Sequence, residues 1–272
     1  MPHHVFGLTS IPQNEDIKIS YHMSWGQPNS HLLQISMHIA GLKTNSVTVS
    51  LPAWRPGRYV IQNYAKNVVS FNAFDADEQP LDSQKIDKDT WRIDKMPDQE
   101  VMVKYTYYAR QLDGGSSYVD DAETYINPVT CLMYVPGKEL LPVSLAIEKP
   151  ADWNIATALE FDVSTGAFVS PNYHELVDAP ILISPSFNLL AFEEQGTTYE
   201  IALQGEANYK SEKLIDDIRK IVVEQSQMMD DTAGKRYLFM YHLVPQRLGE
   251  SHQTLSKHLR PQGDECGYGE LG

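Results

Sequence analysis

Short stretches in which hydrophobic and polar residues alternate fill the chain from about Ile17 to Ile183. Between Leu33 and Ile39 every second residue is hydrophobic, and the same period of two recurs at 47–49, 101–107 and 143–147. Because successive side chains of a β-strand point to opposite faces of a sheet, each stretch predicts a half-buried strand. Turn-forming residues separate the stretches. Together they predict a mainly β chain that begins with an antiparallel β-sandwich of about seven strands or more.

The spacing of the hydrophobic residues changes near Tyr209. From there onward they recur every three or four positions, which is the period of one face of an α-helix. Asn208 and Ser211 are candidate N-caps, and Glu212 favours the first turn because an acidic side chain interacts well with a helix N-terminus. The pattern predicts one long helix, whose hydrophobic positions are Leu214, Ile218, Ile221, Val222 and Met228.

A continuous apolar run from Tyr237 to Val244 follows this helix. Such a run predicts a strand that is buried on both faces. A strand, a helix and a buried strand in this order are typical of an α/β-type domain. We therefore predict a β-sandwich domain over residues 1–185, the incomplete start of an α/β domain over 186–245, and a divergent tail over 246–272 that we expect to be disordered.

Composition limits the partners of the chain. The 272 residues are 42% hydrophobic and carry a formal net charge of −14, which repels nucleic-acid phosphates and anionic lipids. We therefore expect neither nucleic acid nor a membrane as a partner. The N-terminus has neither a basic start nor a long apolar stretch, so it predicts no secretory signal and no membrane span. The expected location is the cytoplasm.

The cysteine count excludes a disulfide framework. Cys131 and Cys266 are the two cysteines of the chain, and they lie far apart in unlike surroundings. We predict that Cys131 is a buried thiol.

The segment from Leu51 to Tyr59 is the densest local motif. Pro56 and Gly57 suit the central pair of a type II turn, because proline fixes its φ angle and glycine accepts a positive one. One interpretation is a turn that is clamped by a packed tryptophan. The other is a recognition patch that binds a carboxylate, formed by Trp54, Arg55, Arg58 and Tyr59.

This segment has the form L-P-x-W-x-P-G-x-Y, which resembles the N-terminal domain of the glycyl aminopeptidase family, zinc metallopeptidases of the gluzincin type. Further similar segments follow in the same order as in that family, and residues 173–180 are similar to its Y-x-x-L-V-D-x-P segment. The resemblance covers most of residues 15–245. The other similar segments are 67–73, 87–91, 103–109 and 153–159.

The resemblance implies a β-sandwich, a thermolysin-like catalytic domain with H-E-x-x-H and a downstream glutamate, and commonly a PDZ domain. Zinc would be held by two histidines one helical turn apart and a third protein ligand. In this sequence only His174 precedes a glutamate, and Asp178 takes the place of the second histidine. With Pro180 close behind, we expect no helix and no zinc site there. We therefore predict no catalytic residue and no metal ligand, and zinc only if the missing catalytic domain were present.

Beyond Val244 the resemblance ends. Relatives usually continue with a G-G-x-E-H element, whereas Glu250 and His252 of this chain stand at a different spacing. We interpret the chain as truncated before the zinc motif, with a tail that is translated out of the ancestral frame or comes from a truncated gene.

Three functions remain open at this stage. The first is a non-catalytic N-terminal fragment of a glycyl aminopeptidase-like peptidase. The second is a β-sandwich module that binds a peptide or a glycan. The third is an active aminopeptidase with an unrecognised zinc site or one completed by another chain. The expected partners are a peptide or the missing catalytic half, and exposed apolar strands would favour self-association.

Overall fold

The computed structural model describes residues 16–55, 58, 60–231, 234–243 and 253–254. This part of the chain is dominated by strands, which confirms the prediction of a mainly β fold. The strands are β1 Lys18–Ser24, β2 Leu32–Ala40, β3 Ser46–Ser50, β4 Val68–Phe74, β5 Pro80–Leu81, β6 Ser83–Asp87, β7 Thr90–Asp94, β8 Val101–Tyr108, β9 Tyr118–Val119, β10 Thr124–Ile126, β11 Val143–Ile147, β12 Asn154–Thr157, β13 Glu160–Asp162, β14 Ala167–Ser170, β15 Ile181–Ser184, β16 Asn188–Glu194, β17 Thr197–Gln204, β18 Arg236–His242 and β19 Gln253–Thr254. The α-helices are α1 Tyr173–Val177 and α2 Ser211–Met229, and 3-10 helices span Pro28–Ser30, Tyr64–Asn67 and Pro128–Thr130.

The first fifteen strands form three sheets around one hydrophobic core. The largest sheet has the order β13-β14-β11-β1-β2-β8-β4-β5, and all its neighbours are antiparallel except β1 and β11. A three-stranded sheet, β3-β7-β6, and a four-stranded sheet, β12-β15-β10-β9, contribute side chains to the same core. We call these three sheets together the sandwich.

In the central strands, the hydrophobic residues of the alternating sequence pattern are the residues that are buried. Leu33 pairs with Tyr107 across β2 and β8, and the pairing continues to Ile39 opposite Val101. Each of these four side chains is buried. The prediction of half-buried strands at 33–39 and 101–107 is therefore confirmed.

Three buried tyrosines fix the segment that crosses the core after the third 3-10 helix. Tyr105 donates to the carbonyl oxygen of Cys131 at 2.6 Å, Tyr173 to that of Leu132 at 2.7 Å, and Tyr21 to that of Met133 at 2.8 Å. The backbone N–H of Met133 also donates to the Tyr105 hydroxyl at 3.3 Å. These bonds pair backbone groups that the core would otherwise leave unsatisfied.

Cys131 is a buried free thiol, as predicted. Burial raises the pKa of this thiol to about 12, because an anionic sulfur would lose its hydration in the core.

A fourth sheet, β16-β17-β18-β19, follows the sandwich along the chain. We call it the second sheet, because it comes after the sandwich. β17 and β18 are parallel, and α2 connects them and packs against β16. The apolar run predicted as a strand buried on both faces forms β18, where the side chains of Tyr237 to Met240 are all buried.

The predicted N-cap of the helix is wrong. Lys210 occupies the N-cap position without a side-chain cap bond, and Ser211 is the first helical residue. Ile218 and Val222 are buried against the sheet, but Ile221 and Met228 are 52% and 78% exposed. The helix covers the sheet with one narrow face, so hydrophobic residues outside that face remain at the surface.

The second sheet packs against the sandwich through a small hydrophobic cluster. Ala202 of β17 and Leu238 and Met240 of β18 face Tyr125 of β10 and Leu182 of β15, and all five side chains are buried. We call this contact the seam. Among the described residues neither helix is long and apolar enough to cross a membrane.

Candidate functional site

The predicted recognition patch lies in the connection between β3 and the 3-10 helix at 64–67. The backbone N–H of Gln62 donates to the carbonyl oxygen of Ala53 at 2.7 Å, which closes the base of the loop. At the tip, the backbone N–H of Arg58 donates to the carbonyl oxygen of Arg55 at 3.3 Å. That bond is typical of a β-turn. Pro56 and Gly57, predicted as the centre of the turn, lie outside the described residues, as does Tyr59.

Trp54 lies on the surface of this loop with 50% of its area exposed. The interpretation of Trp54 as a packed clamp therefore does not fit the structure. Val60 and Ile61 are also exposed, and so is Arg58. Trp54 differs in this respect from the other tryptophans, because Trp25, Trp91 and Trp153 are all buried.

Arg55 points inward rather than into solvent. Its guanidinium lies against Gly115, where an added Cβ would stand only 2.5 Å from Nη2 of Arg55. A side chain at position 115 would therefore require the Arg55 guanidinium to move. Gly115 belongs to a turn at 113–116, which is closed by the bond from the N–H of Ser116 to the carbonyl oxygen of Asp113 at 3.2 Å.

Tyr64 completes the inner side of the patch. Burial raises the pKa of the Tyr64 hydroxyl, Asp113 raises it further, and the positive charges of Arg55 and Arg58 oppose the shift. The Arg55 guanidinium lies close enough to the Tyr64 hydroxyl for the two side chains to interact with each other. Within the described part of the chain, Nε of Arg55 is buried without a hydrogen-bond partner.

The structure thus separates the predicted patch into an outer and an inner part. Trp54 and Arg58 are available to solvent, whereas Arg55 is held against Gly115 beside Tyr64. Sequence reasoning missed Tyr64, Gly115 and Asp113. No local signal links residues 113–115 to the loop, because their contact depends on how the sheets pack.

The nearest approach to a zinc motif lies in α1, and here the prediction of no helix is wrong. The Asn172 side chain accepts from the N–H of Glu175 and donates to the Glu175 carboxylate at 2.7 Å. This reciprocal arrangement at the N-terminus stabilises a single turn of helix. His174 is exposed on that turn. Among the residues that the structure describes, no three His, Cys, Asp or Glu side chains group closely enough to hold a metal ion.

A shallow cavity of about 260 Å³ lies on the outer face of the largest sheet. Its polar groups already bind one another: His38 contacts Glu100 at 2.9 Å, and Lys104 donates to Glu78 at 3.0 Å. Lys104 also lies over the Phe74 ring at 5.1 Å. The groups that line this cavity are satisfied by each other, so it presents a weaker site than the loop at 51–64.

The architecture defines a class: a β-sandwich with a second sheet and helix packed on it. The chain belongs to the Peptidase M61 N-terminal domain family, whose pattern matches residues 20–185. It is therefore a peptidase-family N-terminal domain, in agreement with the resemblance to a gluzincin family. The comparison with curated proteins gives no match.

One solved structure agrees with this assignment, and a second is similar to a lower degree. An aminopeptidase N family protein from Idiomarina loihiensis is 25% identical with a TM-score of 0.76, and the match covers 83% of this chain and 39% of that protein. An M1 zinc metallopeptidase from Deinococcus radiodurans is 10% identical with a TM-score of 0.46, covering 85% of this chain and 57% of that one. The chain thus spans well under two thirds of the length of these proteins.

Proposed function

We propose that this chain is a non-catalytic N-terminal portion of a glycyl aminopeptidase-like zinc peptidase. In this role the sandwich is a scaffold, and the second sheet is the element through which it would join a catalytic half. The observation that carries the proposal is the absence of H-E-x-x-H from the sequence, in a chain whose fold and family are those of a peptidase N-terminal domain.

The chemistry of the described residues supports this proposal. Zinc-dependent hydrolysis needs a bound metal that activates water and a nearby general base. The His174–Glu175 pair is the single His-Glu sequence in the chain, and its glutamate is occupied in capping α1. No metal-binding group of three side chains forms within the described ranges.

An assay with glycyl and alanyl p-nitroanilides in the presence of zinc tests the proposal. We expect the purified chain to release nitroaniline no faster than zinc in buffer. Glu175→Gln is the matched variant, because it removes the glutamate of the His-Glu pair. Zinc-dependent release by the wild type that Glu175→Gln abolishes would contradict the proposal and favour an unrecognised zinc site.

A second candidate function is peptide binding at the loop, and the exposure of Trp54 beside Arg58 favours it. We propose that Trp54 packs against an apolar part of a peptide while Arg58 binds its carboxylate. The proposal rests on the exposure of Trp54 and of the Arg58 side chain on one loop.

Tryptophan fluorescence measures this binding directly, because Trp54 is the exposed one of four tryptophans. We expect a short glutamate-rich peptide to change the emission of the wild type. We expect Arg58→Ala to bind about tenfold more weakly, as is usual when one charge-assisted hydrogen bond is lost. Arg92→Ala is the control, because Arg92 is an exposed arginine of β7 paired with Asp94. Equal affinity in the two variants would contradict a role for the loop.

We also propose a partner for the second sheet. Within the described residues, β18 pairs along its length with β17. We propose that the second sheet contacts the catalytic half or a second copy of this chain. Sedimentation of the chain over a range of concentrations distinguishes a monomer from self-association.

A further inference from the structure

Arg55 connects the exposed loop at 51–64 to a turn that is distant in sequence, at 113–116. The backbone bonds that close the base and the tip of the loop join loop residues to each other, so they do not fix its place on the sheets. The Arg55 side chain leaves the loop and reaches Gly115. This contact therefore ties the loop to another element of the sandwich.

The whole guanidinium group lies close to Gly115. A Cβ atom at position 115 would stand 2.5 Å from Nη2 of Arg55, 3.1 Å from Cζ and 3.2 Å from Nε. A guanidinium is planar and less strongly hydrated than an ammonium group, so it is suited to the half-buried position of Arg55. The φ angle of Gly115 lies outside the left-handed region. An added methyl group there would therefore act through the contact with Arg55 and not through backbone strain.

The turn that receives the guanidinium is itself held by hydrogen bonds. Oδ1 of Asp113 accepts from the N–H of Gly115 at 2.7 Å. The carbonyl oxygen of Gly114 accepts from Nδ2 of Asn127 at 3.1 Å, and Asn127 is only 6% exposed. The Asp113 carboxylate also places a negative charge in the turn, which favours a cation beside it. Arg55 therefore contacts a turn that is joined to the buried part of the sandwich.

Tyr64 lies on the same inner side of the loop. It is buried, and burial raises the pKa of its hydroxyl, on which the charges of Arg55 and Asp113 also act. These three side chains are therefore close to one another. Trp54 and Arg58 are exposed on the outer side. The loop thus has an inner side that contacts the sandwich and an outer side that faces solvent.

We propose that Arg55 is a positioning residue, which holds the loop on the turn at 113–116. This contact sets how Trp54 and Arg58 are presented to a peptide. The role of Arg55 in recognition rests on the proposed peptide-binding function, whereas its role in holding the loop does not. The two arginines of the motif then have different tasks, because Arg58 binds the carboxylate of the peptide and Arg55 fixes the loop that carries it.

Trypsin cleavage of the intact chain after Arg58 measures how firmly the loop is held. A protease needs its target segment to open locally, so the rate of cleavage follows the population of the open loop. We expect Arg55→Ala and Gly115→Ala each to raise this rate about tenfold, because both remove the contact. Gly26→Ala is the matched control, since a Cβ atom there meets nothing within 4 Å, and we expect no change. Cleavage after Arg92, inside β7, reports unfolding of the sandwich, and we expect it to be the same in all variants.

A double variant separates the contact from other effects of each substitution. If Gly115→Ala acts by displacing the guanidinium, it has no further effect once residue 55 is alanine. We therefore expect the double variant to be cleaved at the rate of Arg55→Ala alone. Equal rates in the wild type and in Arg55→Ala would overturn the proposal. So would a rise caused by Gly115→Ala that is as large in the Arg55→Ala chain as in the wild type.

Binding of a short glutamate-rich peptide, followed by tryptophan fluorescence, tests the recognition step separately. We expect Gly115→Ala to bind about fivefold more weakly than the wild type, because the loop must then be ordered when the peptide binds. We expect Gly26→Ala to bind like the wild type. A Gly115→Ala chain that is cleaved faster but binds as tightly as the wild type would overturn the role of Arg55 in presentation. A wild type that does not bind the peptide would contradict the peptide-binding function and this role with it, while the cleavage rates still decide whether Arg55 holds the loop.

Discussion

At the scale of single residues, the core is organised by buried polar groups as much as by apolar ones. Tyr21, Tyr105 and Tyr173 each donate to a different carbonyl in the segment at 131–133. A carbonyl buried without a donor is costly, so each hydroxyl fixes the position of the backbone as well as filling space. These contacts explain how a segment without regular secondary structure crosses the interior.

We predict that Tyr105→Phe destabilises the chain by about 1–3 kcal/mol, the usual cost of leaving buried polar groups unpaired. The substitution removes a donor from the Cys131 carbonyl and an acceptor from the Met133 N–H while it keeps the ring. Urea denaturation followed by circular dichroism measures the change.

Tyr108→Phe is the control on the same strand. The hydroxyl of Tyr108 accepts from Arg110 at 3.5 Å at the surface, so we expect a change within about 0.5 kcal/mol. Equal losses in the two variants would show that the tyrosine hydroxyls do not hold the segment.

Burial of single residues was predictable where a regular period existed. Cys131 was predicted as a buried thiol from its apolar neighbours, and Leu33 and Val101 from the alternation. The inward position of Arg55 was not predictable, because the glycine it contacts comes from a distant turn. A local pattern carries no information about such a contact.

At the scale of elements, sequence periods identified which segments are regular but not every end or face. The long helix was predicted by its spacing, yet its predicted N-cap was wrong, and two of its hydrophobic residues, Ile221 and Met228, are exposed. The short helix α1 was missed because one turn is too brief to show a period. Its stability comes from the reciprocal bonds of Asn172 and Glu175, which are local chemistry rather than a pattern.

We predict that Ile218→Ala destabilises the second sheet and its helix by about 2–5 kcal/mol, the usual cost of a cavity in a packed core. Ile218 is buried in the cluster that joins α2 to β17 and β18. Loss of helical circular dichroism on heating measures the effect.

Ile221→Ala provides the matched comparison, because it makes the same change on the exposed side of the helix. We expect a change within about 0.5 kcal/mol there. A loss as large as that of Ile218→Ala would mean that Ile221 is covered in solution.

At the scale of the whole molecule, the structure is a sandwich of three sheets with a second sheet docked on it. The mainly β fold and the peptidase family were predictable, because alternation and a set of ordered motifs extend over most of the chain. The order of strands was not. The parallel pairing of β1 with β11 joins segments far apart in sequence, and the seam joins two sheets that no local pattern relates.

The proposed function states that this member of the Peptidase M61 N-terminal domain family performs no zinc chemistry by itself. The claim rests on the sequence, which lacks H-E-x-x-H, and on the described residues, which form no metal-binding group. Catalysis by any member of the gluzincin type depends on a bound zinc ion.

The most direct test is the zinc content of the purified, zinc-supplemented and dialysed chain, measured by elemental mass spectrometry. The proposed function predicts a stoichiometry near zero in the wild type and in His174→Ala alike. A stoichiometry near one zinc per chain, lost in His174→Ala or retained through ligands elsewhere, would contradict the claim and make aminopeptidase activity the leading function.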